Sequence, residues 1–220
     1  MLAVSGVMMA GPASVDAQDY RNAAAWNAGG IFFSSMNPDA GLFEGQSAHE
    51  LKLDPGWLVG VQFEHWFGSG RVGARVNGAL TQRPLDLPGV NRSIGVWMAD
   101  ADLMLRLLPA RAGHTIVPYL GVGGGLVRYK LGRGEFLNFA TANALYDGDD
   151  DPRLAGNAFV GFDILTGLRW DGDSPVGFRI EVADHVTLDS PFEEAGGDRF
   201  PSIHNVRIVL GVFSGFGLLR

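Results

Sequence analysis

The sequence contains no cysteine. That excludes a disulfide scaffold, thiol catalysis and cysteine-bound zinc, and it leaves the compartment open. Charge is also scarce, at 19% of 220 residues, with a net charge of −7. No basic stripe appears anywhere, so nucleic acid is not an expected partner. No uninterrupted apolar run beyond the N-terminus reaches the ~20 residues that a transmembrane helix needs. No convincing amphipathic helix intervenes between the apolar stretches. The histidines (His49, His65, His114, His185 and His204) show no metal-ligand spacing, so no metal and no cofactor are expected.

What is present is glycine, 32 residues of it, inside a chain that is 46% hydrophobic. The length suits one domain with a sizeable core. The first residues, MLAVSGVMMAGPASVDAQ, hold a short apolar run followed by small residues. Val15 and Ala17 form a small-x-small site, which resembles the end of a secretory signal peptide, although a basic n-region is missing. Residues 1–17 are therefore expected to be a signal-peptide remnant, and residues 18–220 the folded domain.

The stretch Ser93–Leu108, SIGVWMADADLMLRLL, sets the fold class. Read with period two, Asp100, Asp102 and Arg106 share a face with Val96, Met98 and Met104. The opposite face carries Gly95, Trp97, Ala99, Ala101, Leu103, Leu105 and Leu107. Strict alternation over this length argues for a strand. Seven further stretches read the same way: Ala25–Met36, Trp57–Phe67, Val72–Thr81, Thr115–Leu131, Asn157–Trp170, Val176–Leu188 and Asn205–Phe216. Eight long strands separated by turn signals imply a sandwich or a barrel. Three links, GSGR, PARAGH and DGDSP, are short and rich in Gly or Pro. The other four are longer and alternate with them. An up-and-down meander would gather the short turns at one end and the long loops at the other, an asymmetry characteristic of transmembrane barrels.

Each strand repeats the two-faced pattern. Val72, Val76 and Leu80 stand against Arg75, Asn77 and Thr81. Trp57, Val59 and Phe63 stand against Gln62 and Glu64. Val160, Phe162 and Leu168 stand against Asp163 and Arg169. Phe178, Ile180 and Val182 stand against Arg179, Glu181, His185 and Thr187, and Ile208 and Leu210 against Asn205 and Arg207. The charged faces together hold Glu64, Asp100, Asp102, Asp163 and Glu181 beside Arg75, Arg106, Arg169, Arg179 and Arg207, and no lysine. Arginine suits buried, bidentate pairing with carboxylates. A lumen ion-pair network is the expectation, with the apolar faces toward lipid. Glycines at 60, 73, 161, 177 and 211 fall on the polar faces, as a narrow lumen with bulky arginines requires. Trp26, Trp57, Trp66, Trp97 and Trp170 read as interface aromatics near strand ends. Arg128 and Lys130 sit where the fifth strand would meet anionic head groups.

With these features the chain resembles the small outer-membrane β-barrel family of Gram-negative bacteria, the outer-membrane protein A and X type. The residues that carry the resemblance are VPYLGVGGGLVRY in strand five, GFRIEVADHVTL in strand seven and NVRIVLGVFSGF in strand eight. Family barrels often end on an aromatic residue read by the insertion machinery; here Phe216 is followed by GLLR. The resemblance implies an all-β, closed, antiparallel, up-and-down eight-stranded barrel in the outer membrane of a Gram-negative bacterium. It implies outer-membrane lipid, lipopolysaccharide and the barrel-insertion machinery as partners. It implies no single activity.

Catalytic signals are weak. His185-Val-Thr187 approximates the His-x-Ser pair of lipid A deacylase barrels, with threonine in place of serine. DGDDD, at Asp147 to Asp151, begins like a calcium loop, but Pro152 and Ala158 occupy positions that need glycine and glutamate. GVGGGL, at Gly121 to Leu126, lies within a strand with no following helix, so it is not a dinucleotide loop. The expected role is non-enzymatic, structural or surface-interacting, with an extracellular ligand of the long loops left open. Three other readings stand beside it: a small pore for ions or lipophilic solutes, a lipid A-modifying enzyme, and a soluble lipocalin-like carrier.

Overall fold

The computed structural model describes residues 20–33, 52–53, 55–86, 93–108, 115–131, 151–170, 174–188 and 202–218. Eight long strands follow one another: β1 (Tyr20–Phe33), β2 (Gly56–Phe67), β3 (Val72–Asp86), β4 (Ser93–Arg106), β5 (Ile116–Leu131), β6 (Arg153–Trp170), β7 (Ser174–Thr187) and β8 (His204–Leu218). A two-residue segment, Lys52–Leu53, adds to the end of β3 by pairing with Leu85 and Asp86. Each strand is antiparallel to its neighbour in the chain, and β1 pairs with β8 from Tyr20↔Leu218 to Phe33↔Asn205. The eight long strands thus form a closed sheet, which is how a barrel satisfies its backbone groups without water.

Alternation decides which side chains go inside. Along β7, the odd positions Gly177, Arg179, Glu181, Ala183, His185 and Thr187 are buried, while Phe178, Ile180 and Val182 are exposed. Arg179, Glu181 and Asp163 show 0% exposure, against 63% for Leu210 and 64% for Leu103. The core is therefore the barrel's interior, and it is charged. The soluble-carrier arrangement, with its apolar face inward, is reversed here.

The narrow interior is filled by matching bulk against glycine across the strands. Trp66 stands opposite Gly73, Tyr119 opposite Gly161, and Phe213 opposite Gly177. A Cβ at Gly73 would lie 2.7 Å from the Trp66 ring, and one at Gly161 would lie 2.4 Å from the Tyr119 hydroxyl. At Gly177 it would lie 2.5 Å from Phe213. The β2–β3 turn is closed by Gly70 N–H donating to Phe67 O at 2.8 Å, with Gly68 and Gly70 at φ +47° and +74°. Only glycine takes those angles without strain.

The sequence boundaries shift in ways that matter. β1 begins at Tyr20 rather than Ala25, which places Tyr20, Ala23, Ala25 and Asn27 inside. β3 runs on past Thr81 to Asp86 and pairs Pro84 with Ser93. The β3–β4 connection is thereby reduced to residues 87–92, so it is not a long loop. β6 begins at Arg153, four residues before Asn157, because the Arg153–Gly156 stretch pairs with β5. The signal-peptide region and most of the DGDDD run lie outside the described residues.

Candidate functional site

The sequence concentrates its chemistry in the lumen, which is layered from the short-turn end to the long-loop end. At the short-turn end Arg106, on the last residue of β4, is sandwiched between aromatic faces. Its guanidinium carbon lies 3.7 Å from the Trp66 ring centroid and 4.5 Å from that of Tyr20. Its Nη1 donates to the Gly70 carbonyl at 3.4 Å. Delocalised charge over a π face is a stable place for an arginine away from water.

The next layer is organised by Arg179 of β7. Its Nε and Nη2 donate to the two oxygens of Asp163 on β6 at 2.8 and 3.0 Å, a bidentate fork. Nη1 also donates to Glu64 and, at 2.8 Å, to Gln62 Oε1, both on β2. The Tyr20 hydroxyl donates to Asp163 at 3.1 Å, and Trp66 Nε1 donates to Glu64 at 3.3 Å. One guanidinium therefore ties β7 to β2 through the lumen.

Above it, Arg75 of β3 does the same in the reverse sense. Its Nε donates to Asp102 Oδ2 at 2.7 Å on the neighbouring strand, and its Nη1 donates to Glu181 of β7 across the barrel. Glu181 also accepts from the Tyr119 hydroxyl at 2.9 Å and from Arg207 Nη2 at 3.3 Å. The Phe159 ring lies 3.7 Å from the Arg75 guanidinium carbon.

Toward the long-loop end the chemistry softens. Asp102 accepts from Asn157 at 2.8 Å, and Asp100 accepts from Asn77 at 2.8 Å. His185 Nε2 lies 2.7 Å from Asp100 Oδ2. Beyond them Tyr129 donates to Asn205 at 3.1 Å, and Asn205 donates to the His185 carbonyl. The Thr187 hydroxyl is committed to the Ile203 backbone, at 3.2 Å to its carbonyl and 3.1 Å to its N–H. His185 Nε2 is engaged with Asp100 rather than with this hydroxyl.

Nine of the ten expected network residues come together in this lumen. Arg169 does not. A register shift between Leu165 and Arg169, with Gly167 at φ +73°, breaks the alternation of β6. Thr166 Oγ1 donates to the Val176 carbonyl at 2.7 Å within this bulge, and Arg169 emerges exposed near the short-turn rim. Its place among the buried cations is taken by Arg153, which lies on the inward side of β6 at the opposite end. The inward parity Arg153, Ala155, Asn157 was the available signal, hidden by the adjoining acidic run.

The tryptophans divide as well. Trp57 and Trp170 are exposed at opposite ends of the barrel wall, and Trp97 is half-buried on the outer face. Trp26 is 75% exposed but lies mid-strand once β1 starts at Tyr20. Trp66 is no interface residue: it shares parity with Gln62 and Glu64 and lies wholly inside. Among the described residues no group of metal-ligating side chains is assembled.

A closed eight-stranded meander with paired charges within and hydrocarbon without has the construction of a small transmembrane β-barrel. In structure the chain is similar to Neisserial surface protein A, with a TM-score of 0.55 and 10% identity over 89% of this chain and 97% of that one. It is also similar to the outer membrane protein OprG from Pseudomonas aeruginosa, with a TM-score of 0.56 and 12% identity over 91% of this chain and 98% of that one. No family model matches the sequence, and no curated protein matches it. The fold is that of the small outer-membrane β-barrels.

Proposed function

We propose that this chain is an integral outer-membrane protein of a Gram-negative bacterium, a non-enzymatic anchor whose barrel carries interaction loops at one end. The observation that supports it is the inversion of polarity. Arg75, Arg179, Asp163 and Glu181 are buried, while Trp26, Leu154, Leu168 and Leu210 are each more than 60% exposed. In water such a surface would be an unbroken hydrophobic patch. In a bilayer it is the lipid-facing band.

The lumen is crossed by Arg179 and Arg75 with their carboxylates, so the barrel is closed to diffusion. The connections β1–β2, β5–β6 and β7–β8 are the natural carriers of surface specificity. Outer-membrane lipid and lipopolysaccharide surround the wall, and the barrel-insertion machinery delivers it. Cell fractionation with gel mobility before and after boiling tests the placement. An outer-membrane location and a heat-dependent shift are expected, and a soluble periplasmic protein without the shift overturns the reading. Planar bilayers test the closure: steady single-channel conductance would favour the pore instead.

A further inference from the structure

The outer wall is not uniformly convex. Across β7, β8 and β1 to β4 an open apolar groove of about 1010 Å³ is cut into the lipid-facing surface, with Phe178, Leu210 and Val212 lining its β7–β8 end. Two adjacent cross-strand rows shape it. One contains Trp26, Gly78 and Ala99, and the next contains Ala28, Leu80 and Trp97. The small residues form the floor and the two tryptophans the walls. Gly78 marks the opening, because a Cβ there would meet nothing within 4 Å.

The second row does not end at Trp97. Its partner on β5 is Arg128, and Lys130 lies two residues further toward the long-loop end on the same outward face. An apolar trough thus leads up to a pair of cations, with an amphipathic indole between them. A void in the hydrocarbon forfeits dispersion contacts, so the trough is filled in the membrane. Cations at its upper end select what fills it.

We infer that the part of this groove between Trp26 and Trp97 is a binding site for an anionic, phosphate-bearing membrane lipid. One acyl chain lies along Ala28, Gly78 and Ala99, and the head group meets Arg128 and Lys130. The site rests on the membrane placement proposed above and adds to it a lipid preference located on one side of the barrel.

The test uses the full chain refolded into vesicles, with Trp57 and Trp170 replaced by Phe. Trp26 and Trp97 then report from the groove, and Trp66 is an internal reference shielded in the lumen. Brominated phosphatidylglycerol is compared with brominated phosphatidylcholine as a trace quencher. A preference of roughly fivefold for phosphatidylglycerol is expected, the size of one basic side chain's attraction to an anionic surface. R128Q with K130Q should abolish that preference. G78L, which occupies the floor, should reduce quenching by both lipids while the boiled and unboiled bands stay distinct. Equal quenching in the parent, or an undiminished preference in the charge variant, overturns the site. Full quenching in G78L overturns the groove as its location. A dimer in native mass spectrometry that shields both tryptophans from either lipid makes the face a contact between copies and also overturns it. Failure to insert at all would bring down the membrane placement together with this site, whereas an inserted barrel without lipid preference brings down this site alone.

Discussion

The two halves of the lumen are built differently. Near the short turns, Arg179, Arg106 and Arg75 are held by carboxylates and aromatic faces, and the bonds jump between strands that are not neighbours, β7 to β2 and β3 to β7. Near the long loops, bonds also cross the barrel, from Asn157 to Asp102, from His185 to Asp100 and from Tyr129 to Asn205, but amide, phenol and imidazole groups carry them in place of guanidinium forks. A charge fixed in a dry interior depends on its partner, whereas an amide loses one bond when its partner goes. The lower half should therefore behave as a rivet and the upper half as packing.

Arg179→Ala should break this contrast most severely. It takes the guanidinium from Asp163 and Glu64 together and leaves them only the neutral donors Tyr20 and Trp66, and a loss of about 3–5 kcal/mol is expected in denaturant unfolding followed in vesicles. Arg75→Ala should fall toward the lower end of that range, because Glu181 keeps Arg207 and Tyr119 while Asp102 keeps Asn157. Near-unchanged stability in both variants would remove the rivet.

Gly177→Val comes next. The added side chain meets Phe213 and the Ile164 carbonyl, 2.5 and 2.7 Å from the ideal Cβ. Overpacking of this kind costs about 1–3 kcal/mol, readable as a lowered unfolding midpoint. Asn77→Ala should cost about 1 kcal/mol, since Asp100 keeps His185; a loss as large as that of Arg179→Ala would erase the distinction between the halves. Smallest of all, Arg169→Ala should leave the unfolding midpoint where it was, and a large drop would return that residue to the buried network.

Much of this arrangement was legible in the sequence because a strand has only two faces. Asp100, Asp102, Glu181 and Arg179 could be assigned inward from parity alone, and even Trp66 carried the parity of Glu64. Its size and chemistry suggested a membrane interface, but the barrel used it as a plate beneath Arg106. Parity fails where the chain breaks step. The bulge after Leu165 could not be read from its neighbours, and Arg169 was misplaced with it. Strand limits were the other loss. Polar residues such as Gln82, Arg83 and Asp86 look like loop, but β3 continues through them and pairs with β4 as far as Pro84–Ser93. Which carboxylate meets which guanidinium was also beyond the sequence, because those contacts depend on where strands four or five places apart face each other.

The pairing of large rings with glycine has a consequence for assembly. A strand that slides by two residues keeps every charge inside and every hydrocarbon outside, so polarity cannot detect the error. Bulk can. Such a slide would set Trp66 against Arg75 or Arg71 instead of Gly73, and Phe213 against Arg179 or Pro175 instead of Gly177. The alternation of polarity says which way a residue points, and the alternation of size says how far along the strand it belongs. During closure the second message acts as a proofreader, rejecting mispaired barrels that the first would accept.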